Sequence, residues 1–233
     1  MKKNMGIINF LLLTHQVICK FIYVRKHKMS SIKMAIRHLK RADPELIDLF
    51  QNTQIDELTR GKNYFNSLCR SIVFQQLSGK AAKTIFDRFK NLYLPSPFPE
   101  PEDILNSDKK RLRSVGLSMS KIGYLKNLSQ SFIQNKKLYK NFGKQSNNQI
   151  IDLLTEIKGI GPWSVQMFLI FTLNRLDVFP SGDLGIRKGY QFYFNLDRMP
   201  TNKEMITRAQ KWKPFRTYVS LHFWKILEGP FDW

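Results

Sequence analysis

Apolar residues recur with helical spacing along most of the chain from about Ile32 onward. In IDLLTEI and the residue before it, the apolar positions i, i+3, i+4 and i+7 are Ile150, Leu153, Leu154 and Ile157. Residues with this spacing share one face of an α-helix. The stretches SLCRSIVFQQL, AAKTIFDRF and KIGYLKNLSQSFI repeat the pattern, whereas strict alternation over six or more residues is hard to find. The pattern therefore predicts a helical protein with few strands.

Helix-breaking residues separate these apolar segments. The breaks are LPSPFPEPED (94–103), Gly116, NFGKQSNN (141–148) and Gly182. Asp43-Pro44-Glu45 has the order of an N-cap, a first-turn proline and an acid near a helix start, and SDKKRL (107–112) begins another helix. The proline-rich break is too short to link independent domains, so we expect residues 29–233 to form one domain.

The first 28 residues differ from the rest of the chain. GIINFLLLTHQVICKFIYV is apolar, but polar and basic residues interrupt it too often for a spanning helix. Its basic start resembles a signal peptide, yet no A-x-A cleavage site follows, and its lack of acids is also typical of organelle-targeting segments. We expect residues 1–28 to be an extension outside the fold, with Met29 or Met34 as the working start.

Charge is the first property that narrows the function. The formal net charge is +20, and +14 remains when the six Lys and Arg of the first 28 residues are left out. Such an excess favours a polyanionic partner, either nucleic acid or an anionic membrane surface, over a basic surface without a function. Two cysteines, Cys19 and Cys69, are too few for a disulfide framework, a four-cysteine zinc site or an iron–sulfur cluster. The four histidines form no HExxH pair, so a metal-dependent hydrolase is poorly supported. The small number of cysteines favours a reducing compartment.

The segment IKGIGPW (157–163) lies between two apolar helical stretches. IDLLTEI precedes it, and PWSVQMFLIF begins a helix at Pro162, where a missing N–H costs nothing. The pattern predicts a helix–hairpin–helix, whose glycines permit positive φ and close approach of a ligand. The unpaired N–H groups at the start of the second helix suit a phosphate, and the candidate donors are those of Gly159, Gly161 and Ser164.

Two other interpretations of this hairpin exist. A dinucleotide-binding GxGxxG motif is excluded because Ser164 replaces the third glycine and no strand precedes the segment. A plain αα-hairpin with glycines for tight packing fits equally well. The net charge favours phosphate binding, and a hairpin of this kind contacts the backbone of DNA without selecting a sequence.

Asp183 follows Gly161 by 22 residues and is the only acid in FPSGDLGIRKGY. It lies near the start of the next predicted helix, where an aspartate often serves only as an N-cap. The alternative is a catalytic carboxylate directed at bound DNA. Arg187, Lys188 and the helix dipole are expected to surround the carboxylate and keep it ionised.

With this hairpin and the Asp183 segment, the chain resembles the helix–hairpin–helix/Gly-Pro-Asp DNA glycosylases. Within that superfamily it is similar to the AlkA-like 3-methyladenine branch. The segments that carry the resemblance are GIGPWSVQMFLIF, DVFPSGDLGIRKG, IRHLKRADPEL, SIVFQQLSGKAAKTIFDRF, LRSVGLSMSKIGYLKNL and WKPFRTYVSLHFW. They span about Ile32 to Trp233, with no room for the N-terminal β-domain of some members, and the Gly-Pro-Asp stretch reads Pro-Ser-Gly-Asp (180–183). The resemblance implies an all-α fold of two helical subdomains with a DNA-binding cleft between them.

The resemblance also implies roles for individual residues. Asp183 is the catalytic carboxylate, and the pocket for the flipped base contains Trp224, Trp163 and Met167, each of which could instead be ordinary core. The gap left by the base is filled by Gln76, with Leu77 as the alternative and Ser78 near the minor groove, unless QQLSGK is an ordinary loop. A monovalent cation could lie on the hairpin carbonyls of Thr155, Ile157 and Ile160.

The implied activity is monofunctional hydrolysis that releases bases of the 3-methyladenine and 7-methylguanine type from duplex DNA after base flipping. The enzyme is expected to be a monomer that needs no cofactor and binds no membrane. Bifunctional glycosylase/lyases of the superfamily carry a Schiff-base lysine in G-x-G-x-K, whereas this chain has Trp163 there. A non-catalytic helix–hairpin–helix DNA-binding protein, or a pseudoenzyme that binds damage, stays open as an alternative. The expected location is the cytoplasm or nucleoid of a bacterium, or the nucleus of a eukaryote.

Overall fold

Helices account for all the regular structure in the computed structural model, which describes residues 31–61, 63–77 and 79–227. The α-helices are α1 (Ser31–Ala42), α2 (Ile47–Asn52), α3 (Tyr64–Phe74), α4 (Gly79–Asn91), α5 (Pro101–Asn106), α6 (Lys109–Ser114), α7 (Met119–Gln134), α8 (Lys136–Tyr139), α9 (Asn147–Thr155), α10 (Pro162–Phe171), α11 (Leu184–Tyr193), α12 (Asn202–Ala209) and α13 (Arg216–Ile226). Short 3-10 helices occupy Pro44–Leu46, Phe142–Lys144 and Gln210–Trp212. The predicted all-helical class is confirmed, while the proposed extension at residues 1–28 lies outside the described residues.

Local capping explains where several helices begin. Ser146 and Gln149 form a reciprocal capping box at α9, and Thr201 and Glu204 form another at α12. Each box pairs main-chain N–H groups that the first turn of a helix leaves without partners. Ser118 accepts from the N–H of Lys121 at the start of α7. These polar residues therefore determine the helix boundaries that the apolar pattern leaves open.

The helices pack as two groups. The first contains α3 to α7, in which α3 lies against α4 and α7, and α7 also packs on α5 and α6. The second contains α1, α11 and α13, with α11 and α13 in extensive contact. Helix α10 belongs to the hairpin with α9 and packs on α3. Buried apolar side chains from both groups form one continuous core, as expected for layered helices.

Asp43 differs from its predicted role. The predicted start is correct, because Pro44 opens a 3-10 helix, but the Asp43 side chain makes no capping hydrogen bond. Its buried carboxylate instead accepts from Nε and Nη2 of Arg208 at 3.0 and 3.1 Å and from Nε1 of Trp212 at 2.9 Å. A buried charge must be paired in this way. Asp43 thus joins the end of α1 to the end of α12.

No helix among the described residues combines the length and the apolar character needed to cross a membrane.

Candidate active site and nucleic-acid interface

The two glycines of the hairpin have different local requirements. Gly159 has φ of +106°, and a Cβ atom there would lie 2.1 Å from Cγ of Tyr124. Both the backbone conformation and the contact with Tyr124 therefore require glycine. Gly161 is the N-cap of α10 with an ordinary φ of −100°, and a Cβ there would meet no atom within 4 Å. The fold does not require glycine at 161, whose absent side chain leaves the start of α10 open.

Side chains from two other helices hold the hairpin. The side-chain N–H of Asn127 in α7 donates to the carbonyl of Lys158 at 3.1 Å. Nε2 of Gln75, which follows α3, donates to the carbonyl of Gly159 at 2.9 Å and to Oγ of Ser164 at 3.1 Å. The hairpin is therefore anchored by polar contacts on both sides of its positive-φ glycine.

Ser164 and the hairpin carbonyls are placed less openly than the glycines. Ser164 is only 2% exposed, and its hydroxyl accepts from Gln75, so its side chain presents little surface to a phosphate. Its predicted role therefore depends on its main-chain N–H in the first turn of α10. The carbonyl of Ile157 accepts from the N–H of Ile160 at 2.9 Å. Thr155 ends α9, and its hydroxyl donates to the carbonyl of Ile151 at 2.8 Å. A cation on the carbonyls of Thr155, Ile157 and Ile160 stays a prediction.

Asp183 is the N-cap of α11 and is 8% exposed. Its Oδ1 atom accepts from the N–H of Ile186 at 2.9 Å and from Nε1 of Trp224 at 2.8 Å. Its Oδ2 atom accepts from Nε1 of Trp163 at 2.7 Å. Two of the tryptophans named from the sequence therefore converge on the named carboxylate. The two indole N–H groups and the N–H of Ile186 all donate to this carboxylate, and the three donors together fix its orientation.

The expected cationic neighbours of Asp183 are not found. The guanidinium of Arg187 donates to the carbonyl of Pro200, at 3.0 Å from Nη2 and 3.3 Å from Nε, and Lys188 is exposed. In the part of the chain that the structure describes, Asp183 makes no ion pair. The prediction that Arg187 and Lys188 surround it is wrong, because Arg187 donates to Pro200 and Lys188 forms no ion pair with Asp183 among the described residues. Neutral donors and the helix start take their place.

Aromatic side chains form a wall next to the carboxylate. The ring of Trp224, which is 3% exposed, stacks on Phe171 with centroids 5.7 Å apart and planes inclined by 29°. Trp163, Met167 and Phe171 are four residues apart, so they follow one face of α10. Sequence reasoning missed Phe171, although this spacing was a signal that could have identified it.

Two cavities adjoin the wall. One of about 80 Å³ is lined by Met167, Phe171 and residues of α3, and Met167 itself is only 1% exposed. One of about 310 Å³ is lined by Phe171, Trp224, Leu221 and the segment 54–59. Met167 thus lines the smaller cavity, Trp224 lines the larger one, and Phe171 lines both.

Two further glycines allow the wall to approach α11. A Cβ at Gly185 would lie 3.0 Å from Cδ1 of Trp224 and 3.1 Å from Oδ1 of Asp183. A Cβ at Gly189, one turn later, would lie 2.3 Å from the carbonyl oxygen of Phe223. A larger residue at Gly189 would push α13 from α11, whereas at Gly185 the ring of Trp224 would have to shift by a few tenths of an ångström. The hydrogen bond between Trp224 and Asp183 depends on this close packing.

The residues between α3 and α4 form a turn next to the hairpin. We call Gln75, Gln76 and Leu77 the plug turn. Gln76 has φ of +56°, in the left-handed region, and its side chain is exposed. Leu77 is 40% exposed, a large fraction for leucine. Ser78 lies outside the described residues. The turn therefore presents two side chains to the surface, while Gln75 points inward to the hairpin.

Comparison with known proteins gives a consistent result. The family model described as "HhH-GPD superfamily base excision DNA repair protein" matches residues 69–215. The chain is 37% identical over 201 residues to DNA-3-methyladenine glycosylase 1 of Schizosaccharomyces pombe, covering 84% of this chain and 88% of the relative. It is 32% identical to DNA-3-methyladenine glycosylase of Saccharomyces cerevisiae, covering 88% of this chain and 74% of the relative.

A solved structure agrees with these sequence matches. The 3-methyladenine DNA glycosylase of Schizosaccharomyces pombe in complex with abasic DNA superposes with a TM-score of 0.77 at 35% identity, covering 84% of this chain and 97% of that one. The family model extends over more than half of the sequence and includes both the hairpin and Asp183. The chain therefore belongs to the HhH-GPD superfamily of base excision DNA repair proteins.

Proposed function

We propose that this protein is a monofunctional DNA-3-methyladenine glycosylase, which hydrolyses the N-glycosidic bond of alkylated purines in duplex DNA and leaves an abasic site. The observation that carries the proposal is the buried carboxylate of Asp183, held by the indole N–H groups of Trp163 and Trp224. The two yeast relatives, both DNA-3-methyladenine glycosylases by name, support it. The bases we expect as substrates are of the 3-methyladenine and 7-methylguanine type.

The chemistry follows from the charge of the damaged base. A purine nucleotide alkylated at ring nitrogen N3 or N7 carries a positive charge on the base. The bond between the base nitrogen and C1′ therefore breaks with the bonding electrons going to the base. The sugar then becomes oxocarbenium-like, and a fixed carboxylate next to it stabilises that charge. Oδ2 of Asp183 accepts one hydrogen bond and has a second lone pair available. That lone pair can take a proton from the water whose oxygen bonds to C1′.

The aromatic wall supplies a site for the base once it has left the duplex. Reaching a base for this chemistry requires extruding its nucleotide from the stack. The faces of Trp224 and Trp163 would hold a cationic purine by stacking and cation–π attraction, worth about 0.5–2 kcal/mol per contact. Met167 would limit the depth of the pocket.

Trp163 also argues against a lyase activity. A lyase of this superfamily needs a lysine amine that forms a Schiff base with C1′, and Trp163 occupies that position. Its nitrogen is an indole N–H that donates to Asp183 and cannot act as an amine nucleophile. Cleavage of the strand is therefore not expected after the base leaves.

DNA binding is assigned to the hairpin and the plug turn. The N–H groups of Gly159, Gly161 and Ser164 would hold a phosphate, with a monovalent cation on the carbonyls of Thr155, Ile157 and Ile160. Gln76 or Leu77 would fill the gap left by the flipped base, with Ser78 near the minor groove. The protein would act as a monomer without a cofactor, in the cytoplasm or nucleoid of a bacterium or in the nucleus of a eukaryote.

The experiment compares wild type with Asp183→Asn on methylated duplex DNA. Asparagine also caps helices, so the start of α11 should persist while the negative charge is lost. We expect Asp183→Asn to release bases at least about 100-fold more slowly than wild type and to keep its affinity for DNA. DNA treated with the wild-type enzyme should break only after alkali. Asp197→Asn, an exposed acid without an ion pair among the described residues, is the matched control. DNA binding by wild type without base release would favour the non-catalytic alternative.

A further inference from the structure

The plug turn and the hairpin are joined by one side chain. Nε2 of Gln75 donates both of its hydrogens, one to the carbonyl of Gly159 at 2.9 Å and one to Oγ of Ser164 at 3.1 Å. A carbonyl oxygen can only accept, so the amide nitrogen must be the atom facing Gly159. These partners are 84 and 89 residues away in the sequence. Gln75, the residue that follows α3, therefore contacts both the turn of the hairpin at Gly159 and the first turn of α10 at Ser164.

Helix α7 supports both elements from the other side. Nζ of Lys121 donates to the carbonyl of Val73 at 2.7 Å, which pairs one of the acceptors left over at the end of α3. The ring of Tyr124 packs against Gly159, and Asn127 donates to Lys158. Residues three apart lie along one side of a helix. One side of α7 thus forms a common base for the plug turn and the hairpin.

We propose that Gln75 is a positioning residue that fixes the plug turn relative to the hairpin, so that a phosphate held by the hairpin sets where the plug enters the duplex. This inference rests on the proposed glycosylase function. Gln75 points away from the surface that Gln76 and Leu77 present, so it acts through these neighbours without contacting DNA. The backbone leaves Gln75 with an extended ψ of 130° and enters the left-handed region at Gln76.

The proposal has a specific kinetic consequence. Phosphate binding by the hairpin needs only the hairpin itself, whereas base extrusion needs the plug at the correct distance from the held phosphate. A displacement of about 1 Å in a reacting assembly can cost on the order of 100-fold in rate. Loss of the Gln75 contacts should therefore slow base release and plug insertion, and should leave affinity for undamaged DNA nearly unchanged.

The test is Gln75→Met, which keeps the length of the side chain and removes both donors. Single-turnover release of methylated bases should fall about 10- to 100-fold. Fluorescence of 2-aminopurine placed beside an abasic-site analogue should show reduced unstacking, while affinity for undamaged duplex should change less than about 2-fold. Gln134→Met is the control, because this exposed glutamine at the end of α7 makes no side-chain hydrogen bond to another described residue. The control should match wild type in all three measurements.

A second variant separates positioning from folding. In Gln75→Glu the ionised carboxylate cannot donate, but its protonated form can donate once to Gly159. Position 75 is half-buried and faces a carbonyl oxygen, and both features raise the pKa of a carboxyl above its ordinary value of about 4.3. The ratio of variant to wild-type base release should therefore rise as the pH falls from 8 to 5.5, over a range in which circular dichroism shows both proteins folded. A role confined to stability would leave this ratio flat. If Gln75→Met does not fold, Ser164→Ala replaces it, because alanine keeps the main-chain N–H and removes the hydroxyl that accepts from Gln75. This variant should slow base release several-fold more than it weakens binding to undamaged DNA.

The outcomes distinguish this inference from the proposed function. Active wild type together with Gln75→Met that releases bases and unstacks DNA at the wild-type rate would overturn the positioning role alone. Equal losses in release and in affinity for undamaged DNA would overturn it as well, since the hairpin itself would then be disturbed. Inactive wild type that still binds DNA would reject the glycosylase function on which the inference depends.

Discussion

The packing of α11 on α13 can be tested by adding one methyl group. In Gly189→Ala the new Cβ would lie 2.3 Å from the carbonyl oxygen of Phe223, which belongs to the backbone of α13. An ordinary contact begins near 3.4 Å, so the helices must separate by about 1 Å. No side-chain rotation can relieve this contact, because neither atom belongs to a flexible side chain.

The cost has two opposing parts. Overpacking of this kind costs about 1–3 kcal/mol, whereas replacing a helical glycine by alanine contributes about 0.5–1 kcal/mol of stability. A backbone contact as short as 2.3 Å belongs to the upper part of that cost range, about 2–3 kcal/mol. The net destabilisation is therefore about 1–2.5 kcal/mol, or a fall of about 2–10 °C in Tm for a chain of this size. The same displacement lengthens the 2.8 Å bond between Trp224 and Asp183 beyond hydrogen-bonding distance. Losing a bond to a charged group costs about 1.5–3 kcal/mol, so base release should slow about 10- to 100-fold.

Gly123→Ala is the matched control. Gly123 lies in α7, and a Cβ there would meet no atom within 4 Å. The same chemical change should therefore stabilise the protein by about 0.5–1 kcal/mol and leave base release unchanged. Thermal unfolding by circular dichroism and single-turnover base release would be measured for both variants. Gly189→Ala with a wild-type Tm and a wild-type rate would refute the argument that close helix packing holds Trp224 against Asp183.

Two further predictions concern the hairpin and a buried histidine. Gly159→Ala should unfold at a lower temperature than wild type, because its Cβ would overlap the ring of Tyr124. Gly161→Ala should unfold at the wild-type temperature and bind duplex DNA more weakly. Equal unfolding temperatures of the two variants would contradict this assignment. His222, buried against Thr53, has its pKa lowered by burial from 6.5 to about 4, so the unfolded chain binds its proton first. Stability should be complete above pH 6.5 and fall by about 3 kcal/mol as the pH decreases to about 4. Denaturant titration across this range should show a steeper loss for wild type than for His222→Gln, and parallel curves would refute the assignment.

The sequence predicted structure best at positions where a residue type strongly favours one local conformation. Pro162 begins α10 as predicted, because proline fits the first turn of a helix and few other places in it. Asp183 was located correctly at a helix start for a similar reason. Helical spacing identified the apolar faces, since burial of one face imposes that period. These features depend on the few residues next to each position, so a single sequence contains them.

Contacts between distant helices were not predictable in the same way. Arg187 is one helical turn from Asp183 yet reaches Pro200, because the orientation of α11 against its neighbours decides where the side chain points. Gln75 looked like one of two similar glutamines in a loop, and only the approach of the hairpin distinguishes it from Gln76. Periodicity carries no information on which helices meet, so contacts 84 residues apart required the folded chain.

Asp183 shows why capping and catalysis were hard to separate from the sequence. The cap bond to Ile186 and the bond from Trp224 both end on Oδ1, whereas Oδ2 accepts from Trp163 alone among the residues that the structure describes. One oxygen therefore anchors the carboxylate to α11 and α13, and the other keeps a lone pair for a reacting water. The two interpretations are compatible, because they assign different atoms of the same side chain. A rigid cap also improves the proposed chemistry, since a carboxylate fixed before the charge develops needs no reorganisation when the base leaves.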